Sequence, residues 1–206
     1  MEPTMKDALA IHRALLEWET LHEIVRLPVA MTTADELPKA LGLPAERCLV
    51  TRVYACEGGR RGRRLLAGVI VPAGGRPRAE MVRRAVGART VRPARPDLVN
   101  AVTEYAAGLV CPLLLPESMP LLIDPLSAGG ADADDVVYTA TGEASTALGI
   151  RRGSLYALCR ARPMDMVPAT PLPSPAAPPA PPAAAPPAPP TAAPPAGAPQ
   201  TARTGA

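Results

Sequence analysis

The chain of 206 residues contains no phenylalanine, one tryptophan and four tyrosines, so any core it builds must be largely aliphatic. Lysine is almost as scarce, since Lys6 and Lys39 are the only two and arginine supplies the rest of the positive charge. A net charge of +3 is too small for a protein that coats nucleic acid over its whole surface and leaves room only for a local basic patch. Cys48, Cys56, Cys111 and Cys159 are widely spaced, with no C-x-x-C pair, and His12 and His22 are the only imidazoles. That excludes the usual ligand spacings of a zinc site, and neither a metal nor a cofactor is expected. Phosphate-loop, G-x-G-x-x-G, H-E-x-x-H and G-x-S-x-G motifs are all missing, which argues against the familiar nucleotide enzymes and hydrolases. Cys111 has no imidazole that the sequence can place beside it, as a thiol nucleophile requires. The first ten residues carry acids where a signal peptide needs bases, and the apolar run before Asp124 is broken by prolines and Glu117. A reduced, soluble, cytoplasmic protein with no membrane partner is the expectation.

Proline, by contrast, is abundant, with 28 residues concentrated toward the C-terminus. From Pro163 the chain is almost wholly Pro and Ala, a composition without large side chains to bury, so 163–206 reads as a disordered, polyproline-like tail. The folded domain is then 4–162. Thr4 and Asp7 resemble a helix cap, and Ala8, Ile11, Leu15 and Trp18 follow at helical spacing. His22 to Leu27 reads as a strand, and Thr33-Ala-Asp-Glu36 as a capping box opening a short helix that Gly42 closes. Arg47 to Cys56 and Arg64 to Pro72, rich in β-branched residues, form the arms of a hairpin. A helical stripe of Met81, Val82, Ala85 and Val86 ends at Gly87, and a helix led by Pro96 carries Leu98, Val102 and Tyr105. "MPLLID" and "VVYTAT" are further strands. Hairpins without regular strand–helix alternation give an α+β class, a mixed β-sheet with packed helices.

The hairpin turn, "CEGGRRGRRL", gathers Arg60, Arg61, Arg63 and Arg64. Such a tip either contacts about four phosphates or is simply solvated, and the turn alone does not decide. A decision comes from the ordered set "TEYAAGLVCP", "LLID" and "VVYTATGEASTALGI", preceded by "TADELPKALGLPAERCLVTRVY". Together these resemble the YbaK/EbsC family of aminoacyl-tRNA deacylases, whose fold also forms the editing insertion of bacterial prolyl-tRNA synthetases. The likeness spans roughly Ala8 to Cys159. A family G-x-x-x-P loop corresponds to Gly108 through Pro112, and a later glycine turn to Gly142. Gly108 and Gly142 would let backbone approach a ligand and Pro112 would stiffen the loop, although both glycines also suit plain turns.

The resemblance implies a trans-editing deacylase that cleaves the ester of a mischarged tRNA, without a protein nucleophile or cofactor. Its partners would be the tRNA acceptor end and an aminoacyl-tRNA synthetase, with no DNA. Amides of the Gly108 to Pro112 loop would polarise the ester carbonyl. Thr33, Thr51, Asp124, Gly142 and Thr146 are the substrate-pocket candidates, and Arg60, Arg61, Arg63 and Arg64 the RNA contacts. One hallmark is missing. Where the family carries Lys-Thr-Leu, this chain has Val50-Thr51-Arg52, and Glu104 stands at a usual glycine. Because residues i and i+2 share a strand face, Arg52 is expected to return a cation toward the pocket that lost one at Val50. A guanidinium can grip phosphate or carbonyl but is no general base. The alternative is a catalytically degenerate module of the same fold that binds an aminoacyl-tRNA end, an amino acid or a protein. A third reading, the tail as an adaptor ligand, lacks basic residues to orient it in a proline-binding groove.

Overall fold

The computed structural model describes residues 5–58, 64–124 and 132–164. The chain divides into two compact units, Met1–Val167 and Pro168–Ala206, the second wholly outside the described residues. In the first, Asp7 caps helix α1 (Ala8–Glu17) by accepting the Ala10 N–H, and Ala8, Ile11 and Leu15 face inward. Thr4 lies outside the described residues, and Trp18, expected on the buried stripe, is an exposed C-cap. Strand β1 (His22–Arg26) follows. The capping box forms as read: Thr33 accepts from Asp35 N, and Glu36 reaches back to the Thr33 N–H. It opens a 3₁₀ turn, Ala34–Glu36, that runs into α2 (Leu37–Leu41), where left-handed Gly42 ends the helix.

The long hairpin pairs β2 (Cys48–Glu57) with β3 (Leu65–Pro72), from Leu49 opposite Pro72 to Cys56 opposite Leu65. Alternate residues serve opposite cores. Val50, Tyr54, Val69 and Val71 pack on one face, while Leu49 and Ile70 pack on the other. Two buried faces explain why these strands read as continuous apolar runs rather than as alternating ones. Next come α3 (Ala79–Val86), β4 (Thr90–Pro93) and α4 (Pro96–Thr103). The buried side of α4 is Val99 and Thr103, whereas Leu98 and Val102, expected inside, are exposed. The helix rotates about 100° per residue, so a stripe read one position out lands on the neighbouring flank.

Strands β5 (Leu121–Ile123), β6 (Val136–Ala140) and β7 (Thr146–Arg151), helix α5 (Arg152–Leu158) and β8 (Arg162–Pro163) complete the described elements. The sheet is mixed, ordered β1-β7-β6-β2-β3-β5-β8, with β4 also on β2. Its last strand passes the boundary expected at 162: Pro163 pairs with Ile123, and Met164 is buried. Among the described residues no helix is long and apolar enough to cross a membrane.

Candidate functional site

Strand β2 has three partners, and two of them share one edge. From Leu49 to Cys56 it pairs with β3. On the opposite edge β6 takes Cys48 and Leu49, and β4 takes Tyr54 to Glu57. Val50 to Val53 therefore lie at a fork: among the described residues no strand pairs with them on that edge, and only the Ala94 N–H reaches across, donating to Val53 O. A cavity of about 300 Å³ opens there, walled by those four residues, the start of α4 and the loop at Gly108. Its lining is aliphatic apart from Thr51 and Arg52. Strand edges present unpaired backbone groups, so a fork of this kind can bind a polar ligand without a dedicated side chain.

The loop after α4 is fixed from several sides. Tyr105, fully buried, donates its hydroxyl to Leu113 O at 2.9 Å and closes the segment around Cys111 and Pro112. Asn100 Oδ1 accepts the Ala107 N–H at 2.8 Å, and the Leu109 N–H goes to Ala106 O at 2.9 Å. Among the described residues the Gly108, Val110 and Cys111 N–H groups have no protein acceptor, and the first two belong to residues that line the cavity, which makes them donors the loop can offer a ligand carbonyl. Gly108 sits at φ +90°, and a Cβ there would meet Thr32 O at 3.1 Å. Glycine is thus required twice over, by conformation and by close approach. Its carbonyl accepts from Ala34 N at 2.8 Å, which ties the loop to the capping-box turn.

That turn is braced in its own right. Arg52 donates to both oxygens of Asp35, at 2.6 and 2.8 Å, and through Nε to Gly75 O at 3.3 Å. Asp35 also accepts the Gly74 N–H. Burial pushes the Asp35 carboxyl up, but the Arg52 hydrogen bonds, the Gly74 amide and the charges of Arg52 and Arg76 outweigh it and hold the group below its ordinary value. The cation expected to turn toward Val50 is therefore already matched by a carboxylate.

Of the residues singled out by sequence, Val50, Thr51, Arg52 and Gly108 converge on the fork, and Thr33 lies against Gly108. Among the described residues the buried Thr51 hydroxyl has no hydrogen-bond partner. Three others are elsewhere. Asp124 ends β5, with its N–H on Ile70 O. Thr146 shares a 2.6 Å hydrogen bond with Thr141 and donates to Glu143 at 2.9 Å. Gly142, at φ +96°, is needed because Lys6 O and the Tyr105 ring press against it. Pro112 is buried behind the loop rather than lining the cavity. Arg60, Arg61 and Arg63 lie outside the described residues, while Arg64 borders a separate groove. Cys111 is fully buried, and burial pushes its thiol up to about 12, which leaves it protonated and inert. Sequence reading missed Asp35, Asn100 and Tyr105 as braces: it shows Asp35 only as the acid inside the capping box, and Tyr105 as part of the helix led by Pro96, which ends at Thr103.

The sequence model of the aminoacyl-tRNA editing domain matches residues 29–152, which contain the fork, the capping-box turn and the Gly108 loop. Two solved structures share the fold. The hypothetical protein APE2540 superposes with a TM-score of 0.63 at 20% identity, over 75% of this chain and 97% of its own. A protein described as a trans-editing enzyme for prolyl-tRNA synthetase does so with a TM-score of 0.60 at 24% identity, over 75% of this chain and 92% of its own.

Proposed function

The chain belongs to the aminoacyl-tRNA editing domain family, and on that premise we propose that it is a trans-acting deacylase that hydrolyses the ester joining a wrong amino acid to a tRNA 3′ end. The observation that carries this reading is the fork in β2, where an aliphatic cavity of amino-acid size adjoins the uncommitted Gly108 and Val110 amides. The ester carbonyl is held by those amides, which strengthen as negative charge develops on its oxygen. Water adds to the carbonyl carbon, giving its proton to a neighbouring hydroxyl of the substrate or to solvent. The ester C–O bond then breaks and the ribose oxygen takes the proton, releasing free amino acid and uncharged tRNA. No protein nucleophile is needed, and the buried thiol of Cys111 supplies none. Positioning and charge stabilisation do the work. Arg52 acts indirectly, through Asp35 and the turn that grips Gly108 O. The tRNA acceptor end is the partner, with an aminoacyl-tRNA synthetase as a second, and such partners place the protein in the cytoplasm.

A specific pair of observations favours the degenerate-binder alternative. Val50, at the family's lysine position, is an apolar core residue with 3% exposure, and the charge of Arg52 is taken up by Asp35. Single-turnover hydrolysis across a panel of mischarged tRNAs separates the two. The deacylase reading expects the wild type to cleave at least one, and Gly108→Ala, whose Cβ presses on Thr32 O at a positive φ and so moves the loop amides off the carbonyl, to slow it by on the order of 100-fold, comparable with losing one oxyanion donor. Val50→Lys, with Arg52 left in place, is the companion variant, and thermal melts check that both fold. A wild type inert on every substrate beside an active Val50→Lys would establish the binder instead.

A further inference from the structure

A second and larger groove, of about 530 Å³, lies on the neighbouring flank of α4. Pro96 and Val99 of that helix wall the fork cavity, while Arg95, Leu98 and Val102 wall this groove. Each residue turns the helix by about 100°, so the two spaces adjoin around its first turns. The groove has an apolar floor that includes Leu66, Leu98, Val102 and Met119. Its rim carries Arg64, Arg92 and Arg95 against a single acid, Glu57. Glu57 Oε1 is shared, lying 3.5 Å from Arg64 Nε and 3.2 Å from Arg92, and those side chains are 86% and 71% exposed. Arg95 makes no ion pair among the described residues. One carboxylate cannot neutralise three guanidinium groups, so the groove favours an anionic occupant.

Unpaired bases need apolar surface and their phosphates need cations, and a strip that offers both side by side suits single-stranded nucleic acid. A duplex would use the charge but not the floor. We propose that this groove holds the single-stranded 3′ nucleotides of the RNA, which then turn around the start of α4 so that the terminal aminoacyl ester enters the β2 fork. The choice of RNA rests on the editing reading; the groove itself and its chemistry do not. An aliphatic floor makes the contact tolerant of base identity, because it offers no directional hydrogen bonds.

The test uses the full chain and uncharged minihelix RNA, with and without a single-stranded 3′ overhang, titrated by fluorescence anisotropy over a salt series. In Arg92→Gln/Arg95→Gln, affinity for the overhang RNA should fall. The salt slope should shrink by about 0.7 for each single-strand phosphate that is no longer neutralised, or roughly 1.4 for the pair. Leu98→Ser/Val102→Ser should weaken the same RNA with no change of slope. All four side chains line the surface, so unchanged melting temperatures are expected and verify folding. Unaltered affinity and slope would overturn the proposal, as would an equal loss on the blunt minihelix, which would make this a duplex contact. Loss of binding to a synthetase with RNA binding intact would likewise overturn it and make the groove a protein interface. Because uncharged RNA is the probe, an inert wild type that still loses overhang affinity in these variants keeps the groove and sinks only the deacylase reading.

Discussion

Arg52 of β2 and Arg92 of β4 stand on strands that touch, yet their surroundings give them opposite uses. Arg52 has 18% of its side chain exposed and spends its guanidinium on both Asp35 oxygens and on Gly75 O. Arg92 is 71% exposed, with one 3.2 Å contact to a glutamate that Arg64 also approaches. The first is largely withdrawn from water and built into the frame of the site. The second can exchange its partner for a phosphate at almost no cost to the fold, since exposed pairs contribute about 0–1 kcal/mol. The number of arginines in a stretch therefore says little about function. What matters is which of them the fold leaves with spare hydrogen bonds.

The sharpest way to break this contrast is to remove each arginine in turn. Arg52→Leu leaves Asp35 partly buried without its counter-ion, and a loss of about 2 kcal/mol is expected, discounted from the fully buried case because the pair retains some solvent contact. Deacylation should fall with it, because the turn that Asp35 stabilises also holds Gly108 O through Ala34 N. Arg52→Lys keeps the charge but not the two-pronged geometry, so partial recovery of both stability and turnover should mark a positioning role. Arg92→Leu should shift stability by less than about 0.5 kcal/mol. Equal urea midpoints for Arg52→Leu and Arg92→Leu would remove the distinction.

Much of the frame was legible in the sequence for local reasons. The capping box, the left-handed glycines 42 and 87 and the β2–β3 hairpin all depend on residues close together in the chain, and all appear in the structure. Thr90–Pro93 was not foreseen as a strand, because four residues with only Val91 partly buried carry no period to read. The face of α4 was misjudged because Leu98 and Val102 are as apolar as the buried Val99, and only tertiary packing selects among them. In the site, Gly108, Thr51 and Val50 could be picked out by motif order. The fork could not, because it arises from β4 and β6 dividing one edge of β2, a matter of pairing between distant segments. The Arg52–Asp35 bond crosses 17 positions and two elements. Nothing local announces such a contact, and the same-face argument placed the Arg52 charge toward Val50 without knowing that a carboxylate was waiting elsewhere.

Acid titration sharpens the comparison at a smaller scale. The Asp35 carboxyl is held low in the folded protein, so its ionised form stabilises the fold above the unfolded carboxylate range, near pH 4. That contribution is lost as pH falls through the lowered folded value. Asp35→Asn should be less stable than wild type at neutral pH, and the gap should close progressively below about pH 4. Glu80 is also lowered, to about 2, by its hydrogen bonds with Arg83 and Arg84, but it is present in both proteins and cancels in the difference. A gap that stays constant from pH 7 to the acid transition would mean that the pair contributes nothing electrostatic.

Lys6 offers an intermediate case and the smallest expected effect. Its ammonium lies 3.0 Å from Glu104, with 21% of its side chain exposed against 50% for the glutamate. It also donates to Thr103 O at 3.1 Å and Leu114 O at 2.7 Å, and lies over the Tyr105 ring. Glu104 occupies a left-handed turn at φ +60°, a conformation that costs an ordinary residue about 1 kcal/mol and glycine little. Glu104→Gly relieves that strain and gives up a half-exposed ion pair worth about 0.5 kcal/mol. Lys6 is not stranded by the change, because both carbonyl acceptors remain. The expected outcome is a urea midpoint unchanged or slightly raised, the reverse in sign of Arg52→Leu although each variant deletes one partner of an ion pair. A loss of more than about 1 kcal/mol in Glu104→Gly would place Lys6–Glu104 beside Arg52–Asp35, and would show that side-chain exposure is the wrong criterion for telling framework cations from those free to bind.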